Sequence, residues 1–347
     1  MPQITLDTLI RRVTAYFQRH AKKYGLDPER VQARYILNWG GFVNASFFIQ
    51  DGQRRYHLKL SEDEDALDRL AQWVTLNERL TGRYHAPRML DYVEIPRSGG
   101  FQGPLFEYIP GKPADLAARP EVLRGVLDLL PALHADDELA AALADYRAGL
   151  AEAYGEPPPP PETCTDYFLD VYVDRLDSDL ATIAGELPPF VPLATLDWMM
   201  GETRELEGLA RDLPAFHHPA GSPVHGDLYP ENILVTEAGE WYLIDWDDLS
   251  LGDPALEYAV LLDGLLRSGA LSQAAAEALL PAAPGPREDF LTRFRVCLRA
   301  QLLDTVIDSL ADWVESAFAP IHQDEVRPAK QRAHQEALER YQALYPL

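Results

Sequence analysis

Residues 224–235 read VHGDLYPENILV, and residues 241–248 read WYLIDWDD. A Glu-Ala-Gly turn separates the apolar runs of the two stretches, so the sequence predicts a β-hairpin here. The hairpin places Asp227 before its first strand, Asn232 at the start of that strand and Asp245 at the end of the second. Three polar side chains are thus expected at defined points around one short hairpin.

Acidic side chains crowd the end of this hairpin. Asp245, Asp247 and Asp248 lie within four residues, and Asp227 adds a carboxylate if the hairpin brings it close. Like charges at such spacing repel one another, and a bound cation relieves the repulsion. Carboxylate and amide oxygens suit Mg²⁺, a hard cation. The alternative interpretation is that Asp227 and Asn232 form turns and that the acidic residues make a solvated loop.

A second polar group lies upstream, in residues 38–49, which read NWGGFVNASFFI. The glycine pair Gly40-Gly41 would let backbone amides approach a polyanion closely. Lys59 follows between apolar neighbours in the next predicted strand, where a triphosphate would answer its charge. An ordinary glycine-containing hairpin is the alternative interpretation of this segment.

The texture of the chain divides it into an α+β protein with two lobes, 1–109 and 110–347. Apolar spacing in the first lobe predicts helices over 6–24 and 62–82. The same lobe carries five predicted strands, at 34–39, 42–50, 54–60, 87–95 and 103–109. The second lobe is predicted to be mostly helical, over 121–154, 164–186, 193–213, 255–280 and 286–345. Five consecutive prolines, 157–161, predict an extended connector.

Composition excludes several classes of function. Against 31 Lys and Arg residues stand 55 Asp and Glu residues, a net charge of −24 that repels nucleic acid. This charge fits either general solubility or a site for a cationic ligand. No stretch approaches the roughly 20 apolar residues of a membrane span, and the N-terminus lacks a signal core. Cys164 and Cys297 form no metal or disulfide motif, so a cytoplasmic protein is expected.

The two stretches HGDLYPENIL and IDWDD, followed by LGDPALEY at 251–258, resemble the aminoglycoside phosphotransferase family. That family shares a bilobal protein-kinase-like fold with the choline kinases. The resemblance covers about 30–262 and implies a small β-rich N-lobe that binds nucleotide and a larger helical C-lobe. It implies an ATP-dependent small-molecule kinase, with GTP as the alternative nucleotide and Mg²⁺ as the metal.

The resemblance assigns a role to each residue of the catalytic segment. It implies that Asp227 is the catalytic base that orients the substrate hydroxyl, and that His225 supports the catalytic loop. Asn232 and Asp245 look like the Mg²⁺ ligands. The nucleotide side is implied to comprise the phosphate loop, the phosphate-binding lysine and the adenine hinge, that is Gly40, Gly41, Asn44, Ser46, Lys59, Glu107, Tyr108 and Ile109.

The partner of Lys59 stays open in the sequence. In this family a helix glutamate pairs with the lysine, and Glu78 lies at a plausible spacing. Aligning the helix leucines instead puts Gln72 at that place, with Asp68 one turn earlier.

Two features favour a small acceptor over a protein acceptor. Gly226 stands where a protein kinase carries the arginine that answers activation-loop phosphate. Only seven residues separate Asp245 from Asp253, too few for an activation segment.

The acceptor itself is less defined. Asp247, Asp308, Asp312 and Trp313 fall in the substrate-side portion by resemblance, and carboxylates beside a tryptophan suit an amine or quaternary ammonium. An aminoglycoside, a choline-like alcohol and an amino-sugar fit this pattern, and a solvated acidic helix face is the alternative. Neutral metabolites such as homoserine or a sugar remain open.

Two other classes of function stay open. One is a catalytically silent kinase-fold module that binds nucleotide, against which the retention of Lys59, Asp227, Asn232 and Asp245 argues. The other is a metallohydrolase that uses His225, which would need further ligands at short spacing. The oligomeric state is not encoded in a readable pattern, although the helix at 6–24 is expected to dock on its own lobe.

Overall fold

The computed structural model of the protein describes residues 5–36, 44–96, 100–281, 286–316 and 323–345. The predicted phosphate-loop residues Gly40 and Gly41 lie outside these ranges. The chain forms two compact units, the first made of Met1–Asp115 and His225–Leu249, the second of Leu116–Val224 and Ser250–Leu347. The hairpin segment therefore groups with the N-terminal residues, whereas the lobes 1–109 and 110–347 were drawn as two contiguous pieces. The lobe boundary stays a prediction.

A five-stranded antiparallel sheet organises the first unit, in the order β1-β2-β3-β5-β4. Its strands are β1 (Gln32–Ile36), β2 (Ala45–Gln50), β3 (Arg55–Leu60), β4 (Met89–Glu94) and β5 (Gln102–Glu107). All five were predicted, with bounds that differ by a few residues. The tight turn expected at Asp51-Gly52 is a four-residue loop, in which the Asp51 carboxylate accepts the Gln53 and Arg54 amides over 2.8 and 2.7 Å.

Helices flank this sheet. They are α1 (Leu6–Arg19), α2 (Ala21–Tyr24) and α3 (Glu64–Arg83). The predicted helix 6–24 thus breaks at His20. Leu9, Val13 and Phe17, four residues apart along one face of α1, are buried in one core with the strand residues Phe47 and Leu58. The expectation that this helix docks on its own lobe is confirmed.

A smaller sheet carries the hairpin segment. Its strands are β6 (Gly111–Pro113), β8 (Ile233–Thr236) and β9 (Trp241–Leu243), in the order β6-β8-β9. The pairing of β8 with β9 is antiparallel, with Ile233 opposite Leu243. The predicted hairpin is confirmed, and β6 adds a third strand to it that the sequence did not predict.

The second unit is mostly helical. Its helices are α4 (Pro120–His134), α5 (Asp137–Tyr154), α6 (Cys164–Phe168), α7 (Asp174–Gly185), α8 (Leu193–Asp212), α9 (Pro254–Arg267), α10 (Gln273–Leu279), α11 (Arg287–Glu315) and α12 (Gln323–Leu344). A two-stranded sheet pairs β7 (Ser222–Val224) with β10 (Ser250–Gly252).

Two predicted helices of this unit are interrupted. The helix predicted over 121–154 is two helices, because Asp136 caps α5 by accepting the Leu139 amide over 3.0 Å. The helix predicted over 164–186 contains a π-helical segment, Leu169–Val173, where the backbone widens by one residue per turn. These differences leave the α+β class intact: the chain has a kinase-like fold with a small antiparallel sheet and a larger helical part.

Within the parts of the chain that the structure describes, no helix is long and apolar enough to cross a lipid bilayer.

Candidate active site

The loop before the hairpin is held by His225. This side chain is fully buried, its Nε2 donates to the Ile244 carbonyl over 3.0 Å, and its Nδ1 accepts the Asp227 amide over 3.3 Å. A neutral imidazole has one donor and one acceptor nitrogen, so these contacts select the tautomer with the proton on Nε2. His225 thereby joins the Asp227 loop to the strand end that leads to Asp245.

The Asp227 carboxylate is fixed by Asn232. The amide Nδ2 of Asn232 donates to Asp227 Oδ2 over 2.7 Å and to the Asp227 carbonyl oxygen over 2.8 Å. Burial raises the pKa of Asp227 above its usual value, His225 partly opposes this, and the nearby Asp245 charge adds to it. A half-buried carboxylate that is held in one orientation and has a raised pKa can accept a proton from a hydroxyl group.

Asp245 lies beside this pair. The Ile244 amide donates to the Asn232 carbonyl over 2.9 Å, which places Asn232 across the hairpin from the residue that precedes Asp245. Asp245 itself adopts φ 66°, in the left-handed region that non-glycine residues rarely enter. Such backbone strain is found preferentially at functional positions, where the surrounding structure holds it.

Gly226 owes its identity to a close approach of the backbone. Its φ is 86°, and a Cβ atom built on it would lie 2.1 Å from the Asp248 carbonyl oxygen. No L-residue with a side chain fits there without a backbone shift. The glycine that separates this sequence from the protein-kinase pattern is therefore also demanded by local packing.

Lys59 is buried on β3 and contacts two carboxylates. Its Nζ donates to Asp245 and lies 2.6 Å from both Oδ1 and Oδ2 of Asp247. Burial alone would lower the pKa of Lys59, and the charges of Asp245 and Asp247 more than offset it, so the pKa lies above its usual value. Lys59 lowers the pKa of Asp245 in return, against the effect of burial. The expectation that Lys59 answers a charge is thus met within the protein itself.

Asp247 occupies a different place from the one expected of it. The sequence put it with the substrate-side residues, yet its carboxylate contacts Lys59 and accepts the Asn44 amide Nδ2 over 2.6 Å. The structure therefore groups Asp247 with the residues proposed for the nucleotide. The other carboxylate oxygen contacts and the burial of Asp247 leave it little exposed, at 7%.

Helix α3 offers Lys59 no glutamate at the aligned position. Gln72 is buried and donates from Nε2 to the Leu249 carbonyl. The neighbouring Trp73 places its ring 5.4 Å from Lys59 Nζ, a cation–π contact, and stacks on Phe106. Glu78 is exposed, and Asp68 is half-buried. Trp73 was missed because helical spacing marks it only as buried.

The predicted hinge and the remaining phosphate-side residue lie in or next to the main sheet. Glu107 ends β5 and its Oε1 accepts the Arg88 amide over 2.8 Å, while Tyr108 packs its ring 4.7 Å from that of Phe48. The Ile109 carbonyl accepts the Gly111 amide over 2.8 Å. Ser46, on β2, is the cross-strand partner of Lys59.

The oxygen atoms near Lys59 fit a hard cation. Because Asn232 Nδ2 donates to Asp227, the amide oxygen Oδ1 is the atom of Asn232 left to bind a metal ion. Asn44 Oδ1 is buried and makes no hydrogen bond with the residues that the structure describes. With the Asp245 carboxylate these atoms form an oxygen donor set of the kind that Mg²⁺ uses. Among described residues, no group of three or more His, Cys, Asp and Glu side chains is arranged around a metal position.

The predicted acceptor residues Asp308, Asp312 and Trp313 lie on α11, in the second unit. Asp312 pairs with Lys330, and the Trp313 ring lies 4.2 Å from the Arg327 guanidinium carbon. Burial, with Asp312 and Asp304 nearby, raises the pKa of Asp308 to about 6. Carboxylates on this helix thus repel one another in part.

Two buried ion pairs of the second unit were not predicted as pairs. Arg293 Nε donates to Asp253 over 2.7 Å, and Asp253 also caps α9. His134 contacts Glu257. Separations of 40 and 123 residues leave no signal in the sequence that would join these partners.

Comparison with known proteins agrees with this geometry. The model of the phosphotransferase enzyme family matches residues 35–290. No curated protein matches the chain.

Three solved structures show the same fold. APH(2″)-IIia, solved with GDP and kanamycin, is 13% identical with a TM-score of 0.56, over 94% of this chain and 99% of that one. A choline kinase from Streptococcus pneumoniae is 15% identical with a TM-score of 0.54, over 95% and 99%. A spectinomycin phosphotransferase, solved with ADP and spectinomycin, is 14% identical with a TM-score of 0.54, over 100% of each chain.

Proposed function

The chain belongs to the phosphotransferase enzyme family, and we propose that it transfers the γ-phosphate of ATP to a hydroxyl group of a small, cationic molecule. GTP is the alternative donor, since the similar structures include one solved with ADP and one solved with GDP. The observation that carries the proposal is the convergence of Lys59, Asp227, Asn232 and Asp245 in one compact unit.

Asp227 is the proposed catalytic base. Asn232 fixes its carboxylate, and burial favours its taking up a proton. It would orient the acceptor hydroxyl for in-line attack on the γ-phosphorus and receive the hydroxyl proton. A positioned base of this kind contributes about 10²–10⁴-fold to the rate. His225 has no free nitrogen for this chemistry, because both ring nitrogens are engaged in holding the loop.

The nucleotide residues are proposed on the main sheet. Lys59 would contact the phosphates, with Asn44 and Ser46 beside them and Gly40-Gly41 in the loop between. The backbone of Glu107, Tyr108 and Ile109 would meet the adenine edge. Their positions at the end of β5 and after it support this assignment.

Asn232 and Asp245 would hold Mg²⁺ through Oδ1 and the carboxylate. When bound, Mg²⁺ supplies positive charge that offsets the charge of the β- and γ-phosphates. Asp245 is suited to this because Lys59 keeps its pKa low, so the carboxylate is ionised. The strained backbone of Asp245 keeps the carboxylate at the end of the hairpin.

Carboxylates on α11 support a cationic acceptor. Asp308 and the more deeply buried Asp304 both have pKa values raised by burial. An amine or quaternary ammonium group would neutralise such a cluster, and Trp313 would offer its ring to the same charge. We propose Asp308, Asp312 and Trp313 as acceptor contacts, with an aminoglycoside, a choline-like alcohol or an amino-sugar as the acceptor.

The experiment is ADP release with Mg-ATP across a panel of aminoglycosides, choline-like alcohols, amino-sugars, neutral sugars and homoserine. The proposal predicts acceptor-dependent release with at least one cationic compound, and none with the Asp227→Asn variant. Release only with homoserine or a neutral sugar would overturn the cationic acceptor. Nucleotide binding without release for any compound would favour a silent binding module, and stabilisation by metal alone a hydrolase.

A further inference from the structure

We propose that Asp247 positions Lys59 for the nucleotide phosphates, in the place that a helix glutamate takes in the kinase pattern. The inference rests on the proposed function, because it concerns the nucleotide side of that same site. It assigns a role to the residue that stands two positions after the proposed metal ligand Asp245.

The contacts of Lys59 carry the first step. Lys59 Nζ lies 2.6 Å from both carboxylate oxygens of Asp247, a two-oxygen grip on one ammonium group. Both side chains are more than nine-tenths buried. Charge-assisted hydrogen bonds in such surroundings are short and strong, so Asp247 restricts where the ammonium group can lie.

Helix α3 does not supply the usual carboxylate. The residue aligned with the helix glutamate is Gln72, and its side chain is already engaged with the Leu249 carbonyl. What α3 brings to Lys59 is the face of Trp73, 5.4 Å from Nζ. An aromatic face attracts the ammonium group without fixing its direction as a carboxylate does.

The division of labour between the two carboxylates gives the second step. Asp245 also contacts Lys59, but it is the residue proposed to bind Mg²⁺. A carboxylate shared with a divalent cation no longer balances the lysine fully. Asp247 remains as the dedicated partner of Lys59 when metal and nucleotide are present.

Asn44 extends this arrangement to the phosphate side. Its Nδ2 donates to Asp247 Oδ2 over 2.6 Å, so one carboxylate orients both Lys59 and Asn44. The residue next to Asn44 begins β2, whose Ser46 lies across from Lys59 in the sheet. Asp247 therefore joins two of the residues proposed to meet the nucleotide.

The test is a double-mutant cycle on nucleotide affinity, measured by calorimetry with ADP and needing no acceptor. The variants are Asp247→Asn, Lys59→Met and the two combined, with and without Mg²⁺. We expect Asp247→Asn to weaken ADP binding about 10-fold in the wild-type background and less than about 2-fold beside Lys59→Met, because Asp247 acts through Lys59. The loss should persist in EDTA, since it does not pass through the metal.

Glu78→Gln is the matched control, because it removes one carboxylate from the exposed side of α3 and should leave ADP affinity unchanged. Asp247→Ser carries the same prediction if Asp247→Asn does not fold. An unchanged ADP affinity in both Asp247 variants overturns the role of Asp247 alone. A full loss in the Lys59→Met background, or a loss that vanishes in EDTA, also overturns it. A wild-type protein that binds neither ADP nor GDP overturns the proposed function and this role together.

Discussion

Asn232 donates from one amide nitrogen to both the carboxylate and the backbone carbonyl of Asp227, over 2.7 and 2.8 Å. The contact fixes the orientation of the proposed base before any acceptor arrives. It also leaves the amide oxygen of Asn232 as the metal-binding atom, so one side chain serves both the base and the cation. Preorganised groups of this kind contribute because they need not be ordered during the reaction.

Replacement of Asn232 by alanine should therefore affect two quantities. We expect kcat to fall about 10–100-fold, and the Mg²⁺ concentration for half-maximal activity to rise by a similar factor. Steady-state kinetics at several Mg²⁺ concentrations measures both. Glu231→Gln, a change at the exposed neighbouring residue, is the control and should change neither. An Asn232→Ala enzyme with a normal Mg²⁺ requirement would contradict the ligand assignment.

Gly226→Ala should destabilise the protein. The added methyl group meets the Asp248 carbonyl oxygen at 2.1 Å, and alanine is strained at φ 86°. We expect the free energy of unfolding to fall by about 1–3 kcal/mol, measured by urea denaturation.

Gly149→Ala is the matched control for this change, because Gly149 lies in α5 with no atom within 4 Å of the added Cβ. There the free energy of unfolding should rise by about 0.5–1 kcal/mol, since alanine favours the helix. Equal effects of the two substitutions would show that the backbone around Gly226 relaxes freely.

Asp308 should make stability depend on pH. Burial, with Asp312 and Asp304 nearby, raises its folded-state pKa to about 6, above the value in the unfolded chain. The protonated form is thus favoured by folding, and the stability that it contributes is lost as the pH rises from about 4 through about 6. Asp308→Asn should therefore stabilise the protein at pH 8 and have little effect near pH 4.

The expected gain at pH 8 is about 1–2 kcal/mol, reduced from the full linkage value because Asp308 is partly exposed. Urea denaturation at the two pH values measures it. Asp145→Asn, on the exposed face of α5, is the control and should show no such dependence. A gain of the same size at both pH values would mean that packing, and not charge, is responsible.

The hairpin and the main sheet were predictable from the sequence because local patterns define them. The apolar runs around the Glu-Ala-Gly turn encode β8 and β9, and the leucine spacing encodes α3. His225, Asp227, Asn232 and Asp245 lie on or beside that hairpin, so their juxtaposition follows from one local pairing.

Contacts across long separations were not predictable. Asp247 meets Lys59 across 188 residues, and neither its charge nor its spacing distinguishes it from Asp248. The π-helical segment Leu169–Val173 is likewise invisible, since its composition suits an ordinary helix. Such features depend on tertiary packing, which a periodicity of 3.6 or 2 residues does not encode.

The measurement that tests the central claim most directly compares wild-type protein with Asp227→Asn in transfer of labelled γ-phosphate from ATP to the acceptor found in the panel. Calorimetry with Mg-ADP accompanies it. We predict that the variant binds Mg-ADP with nearly wild-type affinity while transfer slows by about 10²-fold or more, because the base is lost and the nucleotide site is not. Transfer by Asp227→Asn at the wild-type rate would contradict the assignment of Asp227 as the base.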